Sequence, residues 1–226
     1  VADAHVWFGS NLLRALRQRG GARCGGGGVD GSVVADGGEV AVSGDYHMDE
    51  AFRIIGTPTQ GGILIVSDHA SNRVPADIDL GIAPELLNQH IAIDIGVAEI
   101  GASMAQAEGT AAFQGHVSRL VCDFNRHPDS PGVVPLESGV HPIPGNHGAC
   151  AARLARFFDP YHAALEQVLA ESPPALIVSL HSFTPALATC EKPRPWHVGV
   201  LYNQDDRAAQ IAIPLLEAEG LCVGDQ

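Results

Sequence analysis

Gly61-Gly-Ile-Leu-Ile-Val-Ser-Asp-His-Ala-Ser-Asn-Arg-Val-Pro75 is the stretch on which the reading of this chain turns. An apolar, β-branched run at 63–66 breaks off in Ser67-Asp68-His69 and then turns through small and polar residues to Pro75. Buried strands of α/β sheets read as continuous apolar runs, and such folds keep their chemistry at the carboxyl ends of the strands. Ala175-Leu-Ile-Val-Ser-Leu-His-Ser-Phe-Thr-Pro185 repeats the arrangement. Two buried strands, each delivering a histidine, predict a shared metal or catalytic centre built on His69 and His181.

Outward from these two segments the rhythm is α/β. Strands are predicted at 63–67, 120–124, 176–180 and 198–202, and helices at 84–91, 94–107, 151–170 and 205–219. In the third helix Leu154, Phe157, Phe158, Tyr161, Leu165 and Leu169 recur at three- and four-residue spacing, which makes a core-facing stripe. Pro214 predicts a kink in the last helix, and Gly220 its end. Alternating strands and helices predict an α/β fold with a mixed, mostly parallel sheet between helices. The loop at 127–146 carries five prolines and three glycines, and a loop that long in a compact domain is usually functional or mobile.

The two ends read differently from the middle. Residues 1–47 are rich in glycine and offer little apolar surface to offset the entropy of ordering, apart from a short amphipathic helix predicted over 6–18. They are read as a poorly ordered or non-native extension, and 48–226 as the functional domain. Leu221-Cys-Val-Gly224 opens like a further strand just before the sequence stops, so that domain reads as truncated at its C-terminus.

Composition excludes several classes. The 226 residues carry a formal net charge of −13, which argues against nucleic acid as a partner. No apolar run approaches a membrane span. Five scattered cysteines at 24, 122, 150, 190 and 222, with no C-x-x-C pair, fit reduced thiols in a cytoplasm better than a disulfide framework. An acidic chain still binds an anionic metabolite if arginines stand beside the histidines.

They do so in Ser118-Arg-Leu-Val-Cys-Asp-Phe-Asn-Arg126. Arg126, next to Asn125, offers a planar fork of donors suited to a substrate carboxylate. Arg119 is suited to donate to a carbonyl oxygen as it becomes negative. The competing reading pairs both arginines with Asp123 in a structural network. His69 reads as a metal ligand with Asn72 three residues on, or as a histidine bonded within a turn; pairing with His181 moves the ligand reading ahead. His90 and Asp94 lie four apart, on one face of a continuous helix, with Asp94 a reserve third ligand or acid–base group. Nucleophile elbows and phosphate loops are not found in a strand context.

Together, 67–75, 90–96, 118–126, Ile143-Pro-Gly-Asn146 and 179–185 resemble the N-formylglutamate amidohydrolase family, five blocks in order from about Gly56 onward. The resemblance implies a fold similar to zinc-dependent exopeptidases, in the carboxypeptidase and aspartoacylase superfamily. It implies one Zn2+ held by His69 and His181, with the third ligand open among Asn72, Asp68 and Asp94, since Asn72 stands where that superfamily has glutamate. It further implies that Asn125, Arg126 and Ser182 bind the substrate and that Arg119 polarises the scissile carbonyl, with Asp94 the candidate acid–base group. The implied reaction is hydrolysis of the N-formyl, or a related N-acyl, amide of glutamate or a similar acidic amino acid in histidine catabolism. A carboxypeptidase-like hydrolase and a non-catalytic metabolite-binding relative are the alternatives. The implied partner is a small anionic N-acyl amino acid.

Overall fold

The computed structural model describes residues 3–8, 51–184 and 194–225, with 3–8 described by backbone alone. Seven strands form one sheet in the order β2-β4-β3-β7-β1-β8-β9: β1 (Asp3–Phe8), β2 (Phe52–Ile55), β3 (Ile63–Ser67), β4 (Thr110–Gly115), β7 (Leu176–Phe183), β8 (Val198–Tyr202) and β9 (Val223–Asp225). A two-stranded ribbon, β5 (Glu137–Ser138) with β6 (His141–Pro142), lies apart from it in the proline-rich loop. Within the large sheet β4·β3, β3·β7, β1·β8 and β8·β9 run parallel, and β2·β4 and β7·β1 run antiparallel. The sheet is mixed, with mostly parallel pairings.

Alternation along the strands divides the core into two layers. Leu64 and Val66 of β3, Ala111 and Phe113 of β4 and Ile177 of β7 face one side, with Phe157, Phe158, Tyr161 and Leu165. Those aromatic residues come from a continuous helical stretch: α2 (Cys150–Arg153), a π-helical turn (Leu154–Phe158) and α3 (Asp159–Glu171). Ile65, Ala112, Val178, Leu180, Val198 and Val200 face the other side. There they meet Val97 of α1 (Val97–Met104) and Ala209 of α4 (Arg207–Ala218). Helices therefore cover both faces. The apolar stripe read from 151–170 is the surface that buries the first layer, and Pro214 does lie inside the last helix.

Three expectations are corrected. The run at 120–124 is buried but is not a strand. Ser118 turns the chain back on itself: its Oγ accepts from the Leu120 amide at 3.2 Å, and its carbonyl accepts from the Val121 and Cys122 amides. Local side-chain bonding of this kind competes with a sheet ladder, and a short apolar run carries no period to separate the two outcomes. His90 and Asp94 do not share a helix. A 3-10 turn (Pro84–Asn88) ends before His90, which is exposed, and the regular helix starts only at Val97. The helix expected over 6–18 is overturned where it is described, because residues 6–8 lie in β1; its remainder, the glycine-rich segment, Met48 and Pro185 lie outside the described residues. β2 and β4 were not anticipated. Thr110-Ala-Ala-Phe-Gln-Gly115 is buried at every position, and its small residues resemble a loop until neighbours on both sides are known.

Candidate metal centre

β3 and β7 are adjacent and parallel, so their carboxyl ends open on the same edge. Asp68 and His69 follow the end of β3, and His181 stands near the end of β7. Asp94 is brought in by a backbone tie, its amide donating to the His69 carbonyl at 3.0 Å, in the turn that leads to α1. One ligand atom each from His69, Asp94 and His181 fall within 4.8 Å of one another. Residues more than one hundred positions apart thus meet around a single point.

Both rings present Nδ1 to that point. His181 Nδ1 lies 2.9 Å from Asp94 Oδ2, and His69 Nδ1 lies 3.5 Å from the same oxygen. Behind the His69 ring, Nε2 meets Asp123 Oδ1 at 2.7 Å. The Arg119 guanidinium supplies the positive charge: Nη2 donates to Asp94 Oδ1 at 2.9 Å and also contacts His69 Nδ1, while Nε is buried without a partner. Two imidazole nitrogens and a carboxylate oxygen within 4.8 Å of one another form a donor set that suits a divalent metal such as zinc. The residues present fit such an ion.

Electrostatics follow from burial. His69 and Asp94 are only 3% and 4% exposed, so an unpaired charge on either would be costly. Burial lowers the His69 pKa, but the Asp123 and Asp94 carboxylates outweigh it and the net shift is upward. For Asp94 burial works to raise the pKa, and the hydrogen bonds from His181 and His69, with the nearby charges of His69 and Arg119, hold it well below the usual carboxylate range. Asp123 is lowered in the same way, against its own burial, by His69 and then Arg119. Carboxylates held this low are permanent anions near neutral pH, better suited to ligation and orientation than to accepting a proton.

The remaining expected residues fall into separate places. Asn72 is outside the cluster of converging atoms and donates to Asn88 Oδ1 at 3.0 Å. Asp68 is buried and accepts the Tyr161 hydroxyl on Oδ1 at 2.6 Å. Burial, followed by the Asp68 charge, pushes the Tyr161 hydroxyl well above its ordinary pKa. Asn125 and Arg126 are exposed beside the centre: the Asn125 amide nitrogen is 3.5 Å from His181 Nε2, and Arg126 Nε is 3.7 Å from Asp123 Oδ2. Ser182 reaches Asp94 through its backbone amide at 3.4 Å.

Sequence reasoning missed Asp123 and Tyr161 as members of the site. Asp123 was visible inside the arginine block but was read as a partner of the arginines. Tyr161 was read as one more apolar position in a helical stripe. Its hydroxyl was the signal, since a buried phenol requires a partner.

The comparisons with known proteins follow the same lines. A family model described as N-formylglutamate amidohydrolase matches residues 61–226. Among curated proteins none matches. The fold is similar to the crystal structure of gene product Atu2144 from Agrobacterium tumefaciens, with TM-score 0.69, 28% identity, and coverage of 78% of this chain and 73% of that one. It is also similar to N-formylglutamate amidohydrolase from Ralstonia eutropha JMP134, with TM-score 0.50, 17% identity, and coverage of 78% and 76%.

Proposed function

This chain belongs to the N-formylglutamate amidohydrolase family, and on that premise we propose that it hydrolyses the N-formyl amide of glutamate, or a closely related N-acyl acidic amino acid, at a zinc centre formed by His69, Asp94 and His181. The observation that carries the proposal is the convergence of those three side chains on one point beside Arg119. Ligands at the carboxyl ends of adjacent parallel strands, in a mixed sheet between helices, also support kinship with the zinc-dependent exopeptidases. A zinc ion bound there would polarise the formyl carbonyl and lower the pKa of a water.

The chain's own residues account for the other requirements. Arg119 holds a buried Nε–H with no acceptor and stands at the centre, so it serves as the donor to the carbonyl oxygen as negative charge develops. Arg126 is largely exposed and only loosely tied to Asp123, which leaves its fork free to grip the carboxylate of the amino acid. Asn125, beside it, adds a neutral donor. Holding the substrate by its carboxylate sets the amide against the centre and converts the attack to an oriented, intramolecular-like step. The C–N bond breaks, the hydroxyl of water stays on the formyl carbon, and the amine takes a proton, giving formate and glutamate. Such a reaction suits histidine breakdown in the cytoplasm; among the described residues no helix is long and apolar enough to cross a membrane.

Metal analysis with an assay of formate release tests this. The expected result is one zinc per chain and formate release that a chelator abolishes and zinc restores. His69→Ala and His181→Ala should each lose both metal and activity. Full metal content in both variants would overturn the shared centre, and tight ligand binding without turnover would overturn the hydrolase.

A further inference from the structure

Asp68 is a buried carboxylate near the centre that the proposed chemistry leaves without a role. Its position excludes it from the converging set. The two nitrogens of an imidazole point away from each other, and His181 directs Nδ1 to Asp94 at 2.9 Å. Asp68 Oδ2 stands on the opposite side of the ring, 3.7 Å from Nε2. An oxygen behind Nε2 does not share a coordination sphere with Nδ1.

Resting on the metal reading above, we infer that Asp68 and Tyr161 are positioning residues for that centre: Tyr161 pins the Asp68 carboxylate behind the His181 ring, and Asp68 keeps Nδ1 presented to the metal. In the metal-free protein Asp94, closer to Nδ1 than Asp68 is to Nε2, draws the ring proton to Nδ1. A ring that gives Nδ1 to a metal must carry its proton on Nε2, and there the Asp68 charge, 3.7 Å away and beyond direct hydrogen-bond range, stabilises it. Ser179 Oγ, 3.2 Å from the same nitrogen, adds an oxygen on that side. The Asn125 side-chain nitrogen, a donor at 3.5 Å, works against a proton on Nε2 only through a contact at the outer edge of hydrogen-bond range, against the full negative charge of Asp68 at 3.7 Å.

What holds Asp68 is unusually rigid. The Tyr161 hydroxyl donates to Oδ1 at 2.6 Å, and the Tyr161 side chain is fully buried. Its ring stacks on Phe124 with centroids 4.1 Å apart and planes 2° apart, and it meets Phe113 edge-on at 5.1 Å. The π-helical turn (Leu154–Phe158) lies just before it. One extra residue in a turn rotates everything after it by roughly 100° about the helix axis, so this insertion sets which way Tyr161 points. His69 has a matching support: its Nε2 is backed by Asp123, which is itself held by the Asn125 backbone amide at 3.0 Å. Each histidine therefore has a carboxylate behind it, and each carboxylate has its own anchor.

Cobalt titration of the metal-free protein tests the inference, using Co2+ alone as probe and reading both affinity and the visible absorption bands. Wild type should take up one Co2+ per chain. Tyr161→Phe, which keeps the stacked ring, and Asp68→Asn should also take up one, about 10–100-fold more weakly and with shifted bands. Leu165→Ala, a core deletion on the same helix, controls for lost stability and should keep the wild-type affinity and bands. Wild-type behaviour of Tyr161→Phe, or an equal shift in Leu165→Ala, overturns the positioning role. So does an Asp68→Asn protein that takes up no cobalt while Tyr161→Phe binds normally, because Asp68 would then be a ligand. If wild type itself binds no cobalt, the metal reading falls first and this inference with it, an outcome visible before any variant is made.

Discussion

His69 must give up a proton before it can hold a metal, and its surroundings make that proton harder to remove. Asp123 and Asp94 raise its pKa above the ordinary 6.5 despite full burial. Below the raised value the ring is charged and Nδ1 is unavailable; above it the nitrogen is free. Metal affinity should therefore climb as pH rises past 6.5, by at most about tenfold per unit for one proton, and level off above the raised pKa. Calorimetric titration in two buffers of different ionisation enthalpy would show the released proton; a pH-independent affinity would sink the idea. Arg126 makes a second residue-level case. Hydrogen bonds to charged groups are worth about 1.5–3 kcal/mol, so Arg126→Met should raise KM roughly 10–150-fold with kcat little changed. A fall in kcat at constant KM would move Arg126 from holding the substrate to stabilising the transition state.

At the scale of elements, the centre depends on how closely the ends of β3 and β4 approach. Gly115 ends β4, and a Cβ there would lie 2.3 Å from the Asp68 carbonyl oxygen and 2.9 Å from the Phe124 ring. The carbonyl belongs to the backbone that carries His69, so it cannot retreat without displacing His69. Gly115→Ala should cost about 1–3 kcal/mol by urea denaturation and weaken metal binding as well. Loss of stability with unchanged metal affinity would show that the strand end yields without moving His69. The same elements show what was legible beforehand. β3, β7 and β8 were readable because long apolar runs bounded by turn residues have few other fates. β4 was not, because its small and polar residues earn burial only from the strands beside them. The segment at 118–126 was read with the wrong backbone, since burial alone does not distinguish a strand from a turn tied by Ser118.

Across the whole molecule, the buried ionic cluster couples the fold to pH. In metal-free protein Asp94 and Asp123 have lowered pKa values, so their contribution is present above about 3.8 and is lost as pH falls through the folded values. His69 is raised, so its contribution is complete below 6.5 and is lost as pH rises through its folded value. Thermal unfolding in the presence of chelator should therefore show a maximum Tm between about pH 4 and 6.5; a Tm still rising at pH 8 would contradict the coupling. β1 has a different whole-molecule role, since β7 pairs with β8 only through it. The sequence by itself determined the α/β class, the two strand-borne histidines, the arginine block and the family, because these are carried by local runs and short motifs. Tertiary structure alone decided that Asp94 rather than Asn72 joins the histidines, and that Asp123 backs His69. It likewise turned an apolar stripe position, Tyr161, into the anchor of Asp68. Those are distances between residues dozens of positions apart, set by which strands become neighbours, and no local pattern encodes them.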